Sequence, residues 1–197
     1  VHFQHFVRPA QSIEFTSGPL GDVRVGYGET QCCTFRLGDG DVPALAQPVV
    51  PPQGPGRPVR IDVLREPDYW FLPNDIEVDA DRRWAACRID LEALAHRHDY
   101  LGEMARWQPL VLIECAGNLA LSLQHLVDPG DMRLRYVFAR FGEINYRTDC
   151  AQWAPQQTVV THVKRFGAIL VWEAVVGAPS STQIVVRGAV SHRGKPQ

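Results

Sequence analysis

Glu114 stands in the run Pro109-Leu110-Val111-Leu112-Ile113-Glu114-Cys115-Ala116-Gly117-Asn118, whose other members are mostly apolar. A carboxyl on such a segment is expected to be buried, and burial raises a carboxyl pKa because the charged form loses its water. A carboxyl kept protonated near neutrality can serve as a general acid or orient a water molecule. His98 precedes it by sixteen residues. An imidazole titrates near neutral pH, which suits a general base, and His96 is the alternative. Asn118 lies one helical turn beyond Glu114, on the same face, where it could orient the carboxyl or line the path of a ligand.

The remaining reactive side chains invite plainer readings. Cys115 adjoins Glu114, but neighbouring helical residues point about 100° apart, so it is expected to pack as a small hydrophobe. His125 and His162 read as structural. His2 and His5 could hold a metal only beside a further ligand, and no metal is expected. The five cysteines are Cys32, Cys33, Cys87, Cys115 and Cys150. Their odd number and the lack of any C-x-x-C pair argue against a disulfide framework or a zinc ribbon. No cofactor is expected.

The element that must position Glu114 spans residues 109–127. Proline suits the first helical position because its missing N–H would be unpaired there anyway. A segment apolar nearly all round belongs to a helix buried on every side, and Asp128-Pro129-Gly130-Asp131 ends it. Glu114, Asn118, Gln124 and His125 would be costly in lipid, so this is not a membrane span.

Strands surround that helix in the chain. Asp22–Tyr27 and Thr30–Leu37 alternate as a hairpin. Val59–Leu64, Tyr69–Leu72 and Trp84–Leu91 read as strands, with Leu91–Ala95 a single helical turn. After the helix come Leu134–Phe141, Glu143–Asp149, Thr158–Phe166, Ile169–Val176 and Thr182–Val190, rich in Val, Ile, Thr and aromatics. Trp172 and Glu173 are expected on opposite faces of their strand, Trp172 packed and Glu173 wet. One helix set apart from a run of antiparallel strands is the α+β class. Pro43, Pro48, Pro51, Pro52, Pro55 and Pro58 prevent regular ladders, so residues 43–58 read as a linker or an extended surface segment. Residues 1–42 are then an N-terminal arm or hairpin, and residues 59–197 the main domain.

Twenty Lys+Arg against twenty-two Asp+Glu give a net charge of −2, which offers no electrostatic reason for a nucleic acid partner. Residues 1–15 are broken by His, Gln, Arg, Pro and Glu, unlike a signal peptide or a span. A cytoplasmic protein with no membrane association is expected.

Gln108-Pro109-Leu110-Val111-Leu112-Ile113-Glu114-Cys115-Ala116 resembles the start of the central helix in 3-hydroxyacyl-carrier-protein dehydratases, where Pro-Gly, aliphatics and a carboxylate follow one another. It is also similar to the A-factor-biosynthesis hotdog family, with its Asp-Pro-Leu-Leu-Leu-x-Glu-Ala. Gly142–Arg147 and Pro155–Val160 resemble the strand, Pro-Gly turn and strand of the dehydratases. The resemblance covers roughly residues 67–193.

The resemblance implies a hotdog fold, a long central helix wrapped by a twisted antiparallel sheet, here with an N-terminal arm. It implies dehydration of 3-hydroxyacyl thioesters, on an acyl carrier protein or CoA, in fatty acid or polyketide biosynthesis. One group then removes the C2 proton and another protonates the departing hydroxyl. By the resemblance, His98 is the base and Glu114 the acid or the group that orients the water; Asn118, by its spacing, would orient that carboxyl or line the acyl tunnel. Gly102 closes His98-Asp99-Tyr100-Leu101-Gly102, which stands where the dehydratases have His-Phe-Pro-Gly. Pro109 replaces the family's glycine and cannot donate an N–H, so Leu110 would polarise the thioester carbonyl. The resemblance further implies a homodimer, or a heterodimer with a second hotdog subunit. Two other readings stay open: an acyl thioesterase in which Glu114 activates water, and a catalytically silent partner of a heterodimeric dehydratase.

Overall fold

The computed structural model describes residues 2–3, 14–18, 22–36, 49–51, 57–60, 75–93, 104–128, 135–146, 156–178 and 181–193. Residues 61–74 and 94–103 lie outside these, and with them the expected strand Tyr69–Leu72 and the sites His96, His98 and Gly102.

The described strands are β1 (His2–Phe3), β2 (Glu14–Ser17), β3 (Asp22–Tyr27), β4 (Thr30–Arg36), β5 (Arg57–Arg60), β6 (Asp75–Asp79) and β7 (Trp84–Asp90). The helix α1 (Met104–Val127) follows, then β8 (Arg135–Tyr146), β9 (Gln156–Phe166), β10 (Ile169–Ala178) and β11 (Ser181–Arg193). All pair antiparallel in one sheet, ordered β2-β3-β4-β1-β8-β11-β10-β9-β7-β6-β5. The expected hairpin is β3–β4, closed by Gly28-Glu29 between the paired Tyr27 and Thr30. Gly28 has φ 53°, the left-handed region that the first position of a tight primed turn demands. Asp90 starts the short helical turn at 91–93 by accepting the Ala93 N–H on Oδ1 at 2.9 Å.

Alternation decides which face of the sheet meets α1. Ala85, Cys87 and Ile89 of β7, Val159 and Val163 of β9, Leu170, Trp172, Ala174 and Val176 of β10, and Ile184, Val186 and Val190 of β11 form one core with α1. The helix contributes Leu112, Cys115, Ala116, Leu119, Ala120 and Leu123, all at 0% exposure. Trp172 is packed and Glu173 exposed, as expected, and Glu173 pairs on the outer face with Arg187 at 2.8 Å.

Three expectations change. The helix begins at Met104, five residues before Pro109, because Met104, Ala105, Arg106 and Gln108 all favour helix. An interior proline costs roughly 3 kcal/mol. Burial of Leu112, Leu119 and Leu123, at about 1.5–3 kcal/mol each, outweighs that cost. The two strands expected over 134–149 are one continuous strand, β8. Its pairing with β11 passes from Glu143 to Phe141 and from Arg140 to Phe138, so Gly142 and Ala139 are extra residues that bend the strand without ending it.

The third change concerns the proline-rich segment. Its last two residues, Arg57 and Pro58, belong to β5 at the sheet's edge, where a missing N–H is harmless. Val49 in its middle is 4% exposed and packs with Trp84, Ala86 and Val160 on the outer face. The N-terminal strands continue the same sheet, because β1 pairs with β4 on one side and β8 on the other.

Candidate active site

Glu114 is carried by the fourth of α1's seven turns, and the helix rotation decides what it meets. Ile113 and Cys115 on either side are buried at 8% and 0%. With the sheet-facing stripe fixed by Leu112, Ala116, Leu119 and Leu123, the opposite stripe is Glu114, Asn118, Leu121 and His125. Glu114 is exposed in this single chain. The expected burial of its carboxyl is therefore not met: the apolar run reads as buried all round, but one stripe of the helix turns away from the sheet.

Asn118, one turn further on, is only 5% exposed, and its Nδ2 has no hydrogen-bond partner among the described residues. The Asn118 carbonyl accepts from the Ser122 hydroxyl at 2.8 Å, which fixes the helix there without using the amide. The structure thus brings Glu114 and Asn118 to one face, as the four-residue spacing requires. Two turns beyond Asn118, His125 on the same stripe is buried at 6%.

Leu110 stands seventh in α1 and Pro109 sixth. The N–H groups left free by helix geometry are those of Met104 to Trp107, ten or fewer residues before Glu114. From Met104 to Glu114 the axis advances about 15 Å. Leu110 was expected to offer a first-turn donor, and the early helix start moves those donors upstream of it. His98 and Gly102 lie outside the described residues, so the structure places neither beside Glu114.

Cys115 packs as expected. Burial pushes its thiol well above the ordinary range, and the nearby Cys87 and Glu114 add to the shift, while a backbone hydrogen bond partly opposes it. Burial alone lifts Cys87 to about 12. Neither is a thiolate at neutral pH, so neither is a nucleophile. No group of three or more metal-ligating side chains occurs among the described residues. No helix among them is long and apolar enough to cross a membrane.

Alternation did not single out Gln157, buried at 1%, or Gln124 at 0%. Gln157 shares the helix-facing side of β9 with Val159 and Val163. A polar residue at a strand's start reads as a solvent position in sequence, and only the wrapping of the sheet buries it.

No protein-family profile matches the chain, and no curated protein matches it in sequence. Solved structures do. The dehydratase domain of RzxB from Pseudomonas fluorescens aligns with a TM-score of 0.65 over 96% of this chain and 73% of that one, at 13% identity. The dehydratase domain of PpsC from Mycobacterium tuberculosis, solved in complex with C12:1-CoA, aligns at 0.57, with 17% identity and 87% of this chain. The bifunctional dehydratase-cyclase domain of ambruticin biosynthesis aligns at 0.51, with 12% identity and 88% of this chain. The chain spans 64% and 63% of the latter two. These likenesses show the fold. A long helix laid on a twisted antiparallel sheet is the hotdog fold, and the chain resembles its dehydratase domains.

Proposed function

We propose that this chain is a dehydratase-type hotdog protein that acts on 3-hydroxyacyl thioesters of an acyl carrier protein or CoA. The observation that carries the reading is Glu114, a carboxylate on the outward stripe of a helix otherwise packed into its sheet, one turn before a buried amide. The fold's likeness to dehydratase domains supports it.

In this reading Glu114 protonates the departing C3 hydroxyl, or holds the water that it becomes, and His98 removes the C2 proton. Proton transfer of this kind is favoured in a site closed to water. A second hotdog subunit, identical or different, laid over the outward stripe of α1 would exclude that water. The proposed active state is accordingly a homodimer or a heterodimer.

The distance of the free helix N–H groups from Glu114 favours a second reading, a catalytically silent partner. Dehydration needs a donor at the thioester carbonyl, and in α1 the first-turn donors lie upstream of Leu110.

The test is incubation of the purified protein with short 3-hydroxyacyl- and 2-enoyl-CoA thioesters, followed by mass spectrometry. Interconversion with loss or gain of water, abolished by Glu114→Gln and by His98→Ala, is expected. Free acid as product would replace dehydratase with thioesterase. An unchanged substrate across chain lengths, with carrier protein in place of CoA tried as well, would sink both enzyme readings and leave the silent partner.

A further inference from the structure

The strand register gathers cations that lie far apart in the chain. On the face of the sheet turned away from α1, Lys164 of β9 pairs with Val171 of β10, Val171 with Ala189 of β11, and Ala189 with Arg140 of β8. The next row toward the β9–β10 turn is Phe166, Ile169, Ser191 and Val137. Beyond it, Arg193 stands opposite Arg135. These positions hold four Lys or Arg and no Asp or Glu, in a chain whose net charge is −2. Glu173, in the row behind, is already paired with Arg187. Like charges directly opposite one another across two strands are destabilising, and an anion beside Arg135 and Arg193 relieves that repulsion.

The same corner is apolar where it projects. Phe166 and Ile169 pair across the two-residue turn Gly167-Ala168 and are 63% and 46% exposed, with Val171 beside them at 37%. Apolar side chains left in water within a polar rim mark an interaction site. Three of them at a hairpin tip offer little of the roughly 800 Å² per partner that a specific protein interface buries. A lipid interface asks for less, since apolar groups enter the headgroup layer while cations attract the anionic headgroups. Glu114 is carried by α1, on the other side of the sheet, so a molecule held by this corner keeps that site clear.

We infer that this corner docks the protein on an anionic lipid surface. Phe166 and Ile169 enter the headgroup layer, and Lys164, Arg140, Arg135 and Arg193 supply the positive charge. The attachment is peripheral, without a span, and does not depend on the thioester reading. Linear sequence hides it, because the cations come from three strands.

Co-sedimentation of the purified protein with phosphatidylcholine vesicles, with and without about one third phosphatidylglycerol, tests it. Binding is expected only with phosphatidylglycerol, and it should weaken as salt rises. Lys164→Gln should weaken it about fivefold. Replacing Phe166 and Ile169 together by Ser should weaken it about tenfold or more. Val50→Ser, an equally exposed apolar position away from this corner, should leave binding unchanged. Circular dichroism and the thermal midpoint confirm that each variant folds.

No binding to phosphatidylglycerol vesicles at low salt would overturn the inference. So would binding that survives both the Lys164 and the Phe166/Ile169 changes. Soluble poly-glutamate separates lipid from acidic protein. If it strips the protein from the vesicles, and binding ignores the loss of Phe166 and Ile169, the surface takes an acidic protein and the lipid inference falls.

Discussion

Arg165 on β9 donates through Nη1 to the Asp128 carboxylate at 3.0 Å, tying the residue that follows the last turn of α1 to the β9–β10 hairpin. A carboxylate at a helix C-terminus opposes the helix dipole, and the guanidinium offsets it. The same side chain donates through Nε to the Gly167 carbonyl at 3.0 Å, so one arginine braces both the helix end and the turn. Asp128→Asn should lower stability by at most about 0.5 kcal/mol, since both groups are partly exposed. Arg165→Ala should cost more, because the turn contact goes too. Urea denaturation at low and high salt checks this: the Asp128 effect shrinks with salt, and the turn's share does not.

Gly188 sits opposite Trp172 in the β10–β11 pairing, with the indole packed where a Cβ would stand. Trp172 is 1% exposed and cannot move aside without disturbing the core beneath it. Gly188→Ala should lower the unfolding free energy by about 1–3 kcal/mol, the usual range for overpacking. A urea midpoint equal to wild type would show that the indole has room to shift.

The two core thiols give a third expectation. With Cys32, Cys33 and Cys150 replaced by Ser, the folded protein should be inert to a thiol reagent at neutral pH. Two thiols, Cys87 and Cys115, should then titrate on unfolding in denaturant. Rapid labelling of either one in the folded state would place it outside the core.

His162 lies on the outer face, paired across the strands with Trp84 and Glu173. Desolvation lowers its pKa below the usual 6.5, Glu173 pulls the other way, and Lys164 adds to the lowering. The unfolded chain therefore takes up this proton at higher pH than the folded one. The stabilisation is complete above about pH 6.5 and is lost as pH falls toward the folded value. His162→Gln should remove that part of the acid-side slope in thermal midpoint against pH. An unchanged slope would assign it to other groups.

Much of the fold is legible in local pattern. Period-two alternation marks β7, β9, β10 and β11, and two polar-tipped runs around Gly28-Glu29 mark the β3–β4 hairpin. The apolar run after Pro109 marks the body of α1. What is not local is not legible. The placement of β1 between β4 and β8 depends on pairing across more than a hundred residues, and strand periodicity carries no address for the partner. A proline read as a helix start hid the preceding turn from Met104, and Gly142 read as a break is a bulge inside β8. For the site, the spacing places Glu114 and Asn118 on one face. Which of them is covered is not given by spacing: Asn118 is buried and Glu114 exposed.

Val49 shows the same dependence on distant chain. Its side chain fills a place among Trp84, Ala86 and Val160, so part of the proline-rich stretch is docked on the sheet. Val49→Ala removes two methyl-sized groups from that contact and should cost about 1–2 kcal/mol. Val50, 60% exposed beside it, is the control, since Val50→Ala should change stability by no more than about 0.5 kcal/mol. Equal effects at the two positions would mean that the segment is not docked.

The last expectation concerns what kind of residue Glu114 is. A carboxylate that braces the fold and one that serves chemistry both lower activity when replaced, so activity alone cannot tell them apart. Exposure separates them, because substitutions of exposed side chains usually change stability by about 0.5 kcal/mol or less. Glu114→Gln keeps shape and hydrogen-bonding capacity and removes only the charge and the transferable proton. It should leave the urea midpoint of the dilute protein within that margin while abolishing thioester turnover. Loss of more than about 2 kcal/mol would make Glu114 a structural group, and the proposed acid would have to be sought elsewhere. If the second subunit covers Glu114 as proposed, replacing the charge should also strengthen association, since a carboxylate is costlier to dry than an amide. Dissociation constants from analytical ultracentrifugation of both forms would show whether that sign holds.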